Sequence, residues 1–494
     1  MRRIFIILYL FLFIHLHLDA ATVTPEEAQL LCSEWLKSSI MSGDPVISDM
    51  EVLSCAESEI GYVFSLEPHG FVIFSADCCL PAVIYYSTTA DWGNTGFYAE
   101  KFREFITHDI RMRLDNISAI SGQELAAREA YWEQLFSGNF RNTTARDFTQ
   151  WPPEGTTPTG GWLWENWHQN SPFNAMCPMD PITNLRSLAG CPAVAMASVL
   201  NYHETINEVG FSDEDDYFHN YAGRQYWIDD DHAELDFPSF AELNAYLAEL
   251  SYHYNNDISL TDNDRAALTF ACGVAATQVY TSGGSGTFGV SQAYQAYQKF
   301  NFTNSVLYTG YSSELENAMI ANIMEALPVH FAIVNPSWTA GHNLVVDGYN
   351  TDGYFHLNFG WNGSYNGWYL IPDEIPYGLT VIEGAITDIT TAITSIYPHV
   401  LKADWELNNY PNPFNPSTTI SFYNRGGEDI RIRIYNISGQ LVRTLFLDAA
   451  AITNEEVFWD GRLSNGAAAA SGLYMYLIES SSWKSPAEKM LLIK

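Results

Sequence analysis

Leu188-Ala189-Gly190-Cys191-Pro192-Ala193-Val194-Ala195-Met196-Ala197-Ser198-Val199-Leu200-Asn201-Tyr202-His203 reads as a tight turn feeding a helix. Gly190 permits a backbone that a side chain resists. Pro192 suits the first helical position, where no N–H is required, and this places Cys191 at the cap. The alanines that follow are strong helix formers. Val194, Ala197, Val199, Leu200 and His203 recur at helical spacing, so one face is expected to be buried. A thiol at the start of a helix has the positive end of the dipole and unpaired amides beside it, and both favour thiolate. The alternative for such a cysteine is a small buried hydrophobe.

Two later stretches offer partners for the sulfur. Ala340-Gly341-His342-Asn343-Leu344-Val345-Val346-Asp347-Gly348-Tyr349 and Tyr354-Phe355-His356-Leu357-Asn358-Phe359-Gly360-Trp361-Asn362-Gly363 read as buried strands of one antiparallel hairpin. Cysteine hydrolysis requires a thiolate, a base, a group that orients the base and donors for the oxyanion. His342 opens a strand after two small residues and is the best base. Asp347 lies five residues further on, about 16 Å away along a strand and on the opposite face. Asn358 comes near His342 across the ladder and is expected to accept from the ring N–H, holding the tautomer. Upstream, Trp164-Glu165-Asn166-Trp167-His168-Gln169 precedes the cysteine by a short loop. Gln169 is expected to donate to the oxyanion together with the backbone N–H of Cys191, because Pro192 has none to give.

The order Gln169, Cys191, His342, Asn358 is that of papain-like peptidases, and within them the chain resembles the streptopain family. The resembling residues are Trp167-His168-Gln169, Pro172-Phe173-Asn174, Gly190-Cys191, Gly341-His342, Asp347-Gly348-Tyr349 and Asn358-Phe359-Gly360-Trp361. Pro192 stands in place of a small aliphatic residue, and Phe359 where the family usually has Trp. The resemblance implies an α+β, papain-like cysteine peptidase domain that cleaves peptide bonds through a thioester. The glycine-rich loop from Ser282 to Phe288 resembles a substrate-side loop of the family, so Ser285, Gly286, Thr287 and Trp361 are expected to touch substrate. A hydrophobic residue two before the cleaved bond is the implied preference. Tyr62-Val63-Phe64-Ser65-Leu66 and Gly70-Phe71-Val72-Ile73-Phe74-Ser75-Ala76-Asp77 resemble the family's prosegment. That implies an α+β inhibitory unit, the chain's own inhibitor, which keeps a zymogen silent until it is cut away.

The rest of the chain fits around these units. Arg2 and Arg3 precede the apolar run Ile4 to Ile14, then Ala20 and Ala21, as in a secretory signal peptide. Residues 1–21 are expected to be removed, leaving no membrane span. Thr24 and Glu27 form a capping box around Pro25. Short strands are expected at Gly61–Leu66, Phe71–Ser75 and Ala82–Tyr86, and helix from about Ala99 to Phe136. The Thr-, Pro- and Gly-rich stretch from Arg141 to Gly161 reads as an exposed linker where activation cleavage falls. After Pro398 the composition changes. Ile420 and Phe422, then Ile432 and Ile434, alternate with polar neighbours, as in half-buried strands. Tyr410-Pro411-Asn412-Pro413-Phe414-Asn415-Pro416, the Tyr-Asn-Ile-Ser-Gly-Gln turn and Gly472-Leu473-Tyr474 resemble the C-terminal sorting domains of type IX secretion. The expected division is 22–145 inhibitory prosegment, 146–400 peptidase and 401–494 an Ig-like β-sandwich.

Bulk properties narrow the partners. The net charge is 23 − 58 = −35, which argues against nucleic acid. The expected partners are protein or peptide substrates, the prosegment and the type IX secretion machinery, at an extracellular or cell-surface location. The seven cysteines match no zinc spacing, and no His-Glu-x-x-His is present, so no metal or cofactor is expected. The acidic runs Asp213–Asp216 and Asp229–Asp231 lack the calcium-loop pattern. Two rival readings are a thiol acyltransferase of transglutaminase type, for which an Asp in place of Asn358 would be wanted, and a non-catalytic surface adhesin on a peptidase fold.

Overall fold

The computed structural model describes residues 22–38, 45–56, 58–93, 97–137, 148–335, 341–371, 381–390, 408–412, 414–422, 430–436, 441–447, 456–479 and 487–493. The expected signal segment lies outside these residues, as does the linker up to residue 147.

The N-terminal unit begins with helix α1 (Pro25–Ser38), and its capping box forms as the sequence indicates: Thr24 N donates to Glu27 Oε2 at 3.0 Å and Glu27 N to Thr24 Oγ1 at 3.3 Å. Strands β1 (Val46–Cys55), β2 (Ser58–Glu67), β3 (Phe71–Ser75) and β4 (Val83–Ser87) follow as an antiparallel meander. The β2–β3 hairpin turns at Pro68-His69-Gly70, where Gly70 holds φ at +109°. Strand β1 was not expected. Its residues alternate poorly and only Leu53 is buried, so its hydrogen bonds to β2 define it more than any apolar pattern. The single long helix expected after the strands is two, α2 (Phe97–Asp115) and α3 (Gly122–Ser137), separated by a short 3₁₀ turn.

The central unit opens with β5 (Gln150–Trp151) and then helix α4 (Cys191–Tyr202). A hairpin of β6 (Phe218–Tyr221) and β7 (Arg224–Trp227) follows, then helices α5 (Phe240–Asn255), α6 (Asp262–Ala275) and α7 (Val290–Lys299). Strand β8 (Val306–Thr309) and helix α8 (Ser313–Met324) lead into β9 (Val329–Val334), β10 (Gly341–Asn350), β11 (Phe355–Asn358), β12 (Gly367–Tyr369) and β13 (Val381–Thr387). Helix α4 is buried on every side rather than on one face, because β10 covers one flank and α6 the other.

One sheet joins the two units. Its order is β1-β2-β3-β4-β12-β11-β10-β9-β13-β8, with β5 added beside β10. The seam is the pairing of β4 with β12, Tyr86 opposite Trp368 and Tyr85 opposite Tyr369. An open edge strand is a ready template for another strand, and here each unit supplies the other's missing neighbour.

The C-terminal unit contains β14 (Asn408–Tyr410), β15 (Thr418–Ser421), β16 (Ile430–Asn436), β17 (Leu441–Leu447), β18 (Glu456–Trp459), β19 (Gly472–Glu479) and β20 (Glu488–Leu492). They form sheets ordered β14-β15-β18 and β17-β16-β19-β20 around a core that includes Ile420, Ile432, Ile434 and Trp459. The unit rests on the central one through Tyr435. That ring meets Trp151 edge-on at 5.8 Å, and its hydroxyl lies 3.0 Å from Thr149 Oγ1. Among the described residues, no helix is long and apolar enough to cross a membrane, and no group of three or more His, Cys, Asp or Glu side chains is placed to hold a metal ion.

Candidate active site

The nucleophile turn is fixed from both sides. Ala189 N donates to the Gln169 carbonyl at 2.9 Å, Leu188 N to the Thr281 carbonyl at 3.1 Å, and Gln278 Nε2 to the Ala189 carbonyl at 2.7 Å. Gly190 is the N-cap at φ +87°, and helix α4 begins at Cys191 itself, one residue earlier than the sequence suggests. Pro192 is thus the second helical residue, where its lack of N–H still costs no helical bond. The Gln278 amide packs flat against Gly190, and a Cβ there would lie 2.7 Å from Gln278 Cδ. Sequence reading missed Gln278. It sits in a turn after α6, and only tertiary folding brings it behind the nucleophile.

His342 is the second residue of β10. Its Nε2 donates to the Phe359 carbonyl at 2.9 Å, and its ring lies 6.1 Å from Phe359 and 4.8 Å from Trp361. Asn358 pairs with Val345 in the ladder, is 3% exposed and accepts from Gly360 N at 3.1 Å. The ring N–H therefore meets the main-chain carbonyl of residue 359, not the Asn358 amide. The reason is the turn after β11: Gly360 takes φ +65°, and the Asn358 Oδ1 is spent on holding it, while its Nδ2 is buried without a hydrogen-bond partner.

The helix start favours a Cys191 thiolate, and the Asn343 amides and the Cys191 N–H act in the same direction. Burial nevertheless pushes the thiol up from its ordinary range, against the ionisation its helix position favours. Burial likewise lowers His342 to about 4, with the Phe359 carbonyl opposing. Burial thus disfavours the charged form of each.

What covers them is helix α2. Its Tyr98 ring stacks on Trp361 at 5.2 Å, its hydroxyl accepts from Asn170 Nδ2 at 3.3 Å, and it lies within electrostatic range of Cys191. Further along α2, Arg113 pairs with Asp109 at 2.7 Å in near-complete burial and donates to the Leu370 carbonyl of the central unit.

Of the residues expected at the substrate face, Trp361 lies beside His342. Ser285 Oγ accepts from Thr281 N at 3.0 Å, and Gly286 exchanges backbone hydrogen bonds with Val279, so these two shape the loop. Thr287 is half-buried, and the Cβ direction of Gly286 faces open space. Asp180 anchors the loop: it accepts from Ser282 N at 2.9 Å and pairs with Arg224 at 2.7 Å, and these bonds hold its carboxyl well below the usual range in spite of burial. Asp347 is fully buried away from His342, with His356 Nδ1 at 2.6 Å and Leu163 N at 3.1 Å.

Residues 167–369 match the model of the Peptidase C10 family, and residues 408–493 that of the secretion system C-terminal sorting domain. The chain is 28% identical over 207 residues to the thiol protease/hemagglutinin PrtT of Porphyromonas gingivalis, covering 41% of this chain and 22% of that protein. It is 23% identical over 365 residues to streptopain of Streptococcus pyogenes, covering 68% of this chain and 80% of that one. Among solved structures, a prointerpain A fragment of Prevotella intermedia aligns with TM-score 0.44 at 20% identity, over 69% of this chain and 99% of the fragment. Residues 167–369 are therefore a cysteine peptidase domain of the Peptidase C10, or streptopain, family, followed by a secretion sorting domain that marks an extracellular or cell-surface protein.

Proposed function

We propose that the protein is a secreted cysteine endopeptidase made as a zymogen. What supports this is a thiol at the start of helix α4, with the His342 imidazole and Tyr98 of α2 both packed on Trp361. Cys191 is the nucleophile. Its thiolate attacks the scissile carbonyl carbon, and the carbonyl electrons move to oxygen. Gln169 and the Cys191 backbone N–H are the donors to that oxyanion. His342, protonated by the thiol, passes its proton to the departing amine as the C–N bond breaks. It then takes a proton from water, which attacks the thioester and returns the sulfur. Asn358 acts on His342 through the turn that presents the Phe359 carbonyl.

Residues 22–145 are the inhibitory prosegment in this reading. While α2 lies over the cleft, neither thiolate nor imidazolium is favoured, because burial penalises each charge. Departure of α2 readmits water and lets the pair ionise. Ser285, Gly286, Thr287 and Trp361 border the substrate, with an apolar residue favoured two before the cleaved bond. The sorting domain hands the chain to the type IX secretion machinery.

The test is N-terminal sequencing of secreted protein, with and without Cys191→Ala, alongside casein hydrolysis. Processing between Arg141 and Gly161 that disappears with Cys191 is expected. A Cys191→Ala protein that still cleaves casein overturns the reading.

A further inference from the structure

Beneath the nucleophile turn lies a carboxamide that the quartet of Gln169, Cys191, His342 and Asn358 does not include. Gln278 is fully buried in the turn after α6. Its main chain is held at both ends: Gln278 N donates to the Gly273 carbonyl at 3.0 Å, and the Gln278 carbonyl accepts from the Tyr217 hydroxyl at 2.6 Å. The side chain therefore starts from a fixed point. Its Nε2 donates to the Ala189 carbonyl at 2.7 Å, while Oε1 is buried with no hydrogen-bond partner among the described residues. An amide oxygen cannot donate to a carbonyl, so this one bond fixes which way the amide faces. Glycines make room for it on two sides. A Cβ on Gly190 would lie 2.7 Å from Gln278 Cδ, and a Cβ on Gly273 would lie 3.2 Å from Gln278 Nε2. The carboxamide thus packs directly on the backbone of the residue before the nucleophile.

Ala189 passes that constraint on. Its N–H donates to the Gln169 carbonyl at 2.9 Å and its carbonyl accepts from Gln278, so both of its main-chain groups are engaged. The first bond ties the turn to the residue that carries one oxyanion donor. The second holds the Ala189–Gly190 peptide, and because a peptide is planar, holding its oxygen holds the whole unit. From there Gly190, at φ +87°, sets the direction of the next N–H, that of Cys191. Glycine lets the chain turn here but leaves other arrangements open, and the Gln278 bond selects one of them. The same segment reaches the glycine-rich loop: Val279 N donates to the Gly286 carbonyl at 2.9 Å, and Gly286 N to the Val279 carbonyl at 3.0 Å.

We propose that Gln278 is a positioning residue of the oxyanion site, fixing through the Ala189 carbonyl the direction of the Cys191 N–H and its alignment with Gln169. This rests on the reading of Cys191 as the nucleophile and Gln169 as its partner donor. Gln278 touches no reacting atom. Its effect belongs to the transition state, where donors are effective only if they already point at the place the oxyanion will occupy.

The test uses the full chain after processing. Gln278→Met keeps the length and the packing and removes the donor; since Oε1 makes no bond, the bond to Ala189 is the hydrogen bond lost. Gln278→Glu keeps the shape and sets a carboxylate against the Ala189 carbonyl. Both are expected to lower kcat per active site by about tenfold or more with little change in KM, since misplacement by about 1 Å costs on the order of 100-fold. Sites are counted by titration with a peptidyl epoxide. Iodoacetamide alkylation of Cys191, followed on its own peptide by mass spectrometry, is expected to keep the parent rate, because displacement at a saturated carbon forms no oxyanion. In a Gln169→Ala background the loss from Gln278→Met is expected to shrink, as for two residues acting on one site. A merely structural role would lower Tm and the titrated fraction and leave kcat per site in place. That result overturns the proposal, as does alkylation that slows in step with kcat, or an undiminished loss beside Gln169→Ala. Casein hydrolysis by the processed parent is read in parallel: its absence overturns the peptidase reading, and full hydrolysis beside parental kcat in both variants overturns this inference alone.

Discussion

A methyl group at Gly190 would press on the Gln278 side chain while the backbone there stays at φ +87°, so Gly190→Ala is penalised by both contact and conformation. Strain of this kind costs about 1–3 kcal/mol. Relief by rotating the turn would swing the Cys191 N–H out of the cleft. Gly190→Ala is therefore expected to lower Tm and also to lower kcat per titrated active site by about tenfold or more, since misplacement by about 1 Å costs on the order of 100-fold. Turnover normalised to active-site titration separates the two effects. At Gln169, substitution by Ala removes one oxyanion donor and is expected to lower kcat by about 100- to 1000-fold with little change in KM. Cys191, His342 and Gln169 were legible as candidate reacting groups in the residue types and their order. The Phe359 carbonyl was not, because a main-chain oxygen has no signature in sequence and its aim depends on the Gly360 turn.

In the proposed zymogen, helix α2 is the element that decides between silence and activity. Its apolar residues Phe102, Phe105 and Ile106 are buried against the central unit, with Phe102 stacked on Tyr365 at 4.4 Å. Arg113 and Asp109 anchor it further along. Removing one partner of a buried ion pair costs about 3–5 kcal/mol because the other charge is left uncompensated. Arg113→Met is expected to loosen α2, and Tyr98→Ala to uncover the cleft locally. Both variants should process faster than the parent in a time course read by gel, and Arg113→Met should also lose Tm. Equal processing rates would count against α2 as the cover. Helical periodicity between residues 99 and 136 was readable, but the break at 116–121 was overlooked, although the Ser121-x-x-Glu124 cap marks it: Glu124 N donates to Ser121 Oγ at 3.2 Å. Strand β1 escaped for the opposite reason: an edge strand with one neighbour needs no buried face.

Across the whole molecule, a single sheet runs through the N-terminal and central units, so separating them exposes strand edges on both sides. Three imidazoles, His330 fully buried and His203 and His342 half-buried, bear on that cohesion. His203, His330 and His342 each titrate near 4, lowered by burial from the ordinary 6.5. A folded-state value below the unfolded one means that the unfolded chain binds more protons in this window, so stability is present above pH 6.5 and is lost as pH falls toward 4. For His330, which is fully buried, the shift corresponds to about 3 kcal/mol by the conversion of pKa units to free energy. The Tm of the full-length chain is expected to fall steadily between pH 6.5 and 4, less steeply in His330→Gln, and processing to quicken over the same interval. A Tm flat across that range would contradict it.

The amino-acid sequence by itself determined the units and their chemistry: a helix-start cysteine, a histidine opening a strand, a capped N-terminal helix and a C-terminal alternation of apolar and polar residues. These are local signals, set by φ preference, side-chain period and hydrogen-bonding capacity within a few residues. Tertiary structure alone decided which groups meet. Gln278 behind Gly190, Tyr98 on Trp361 and Tyr435 on Trp151 are contacts between distant segments. Burial at the Cys191 thiol works against the charge that the helix start favours, because desolvation opposes a helix dipole once water is excluded.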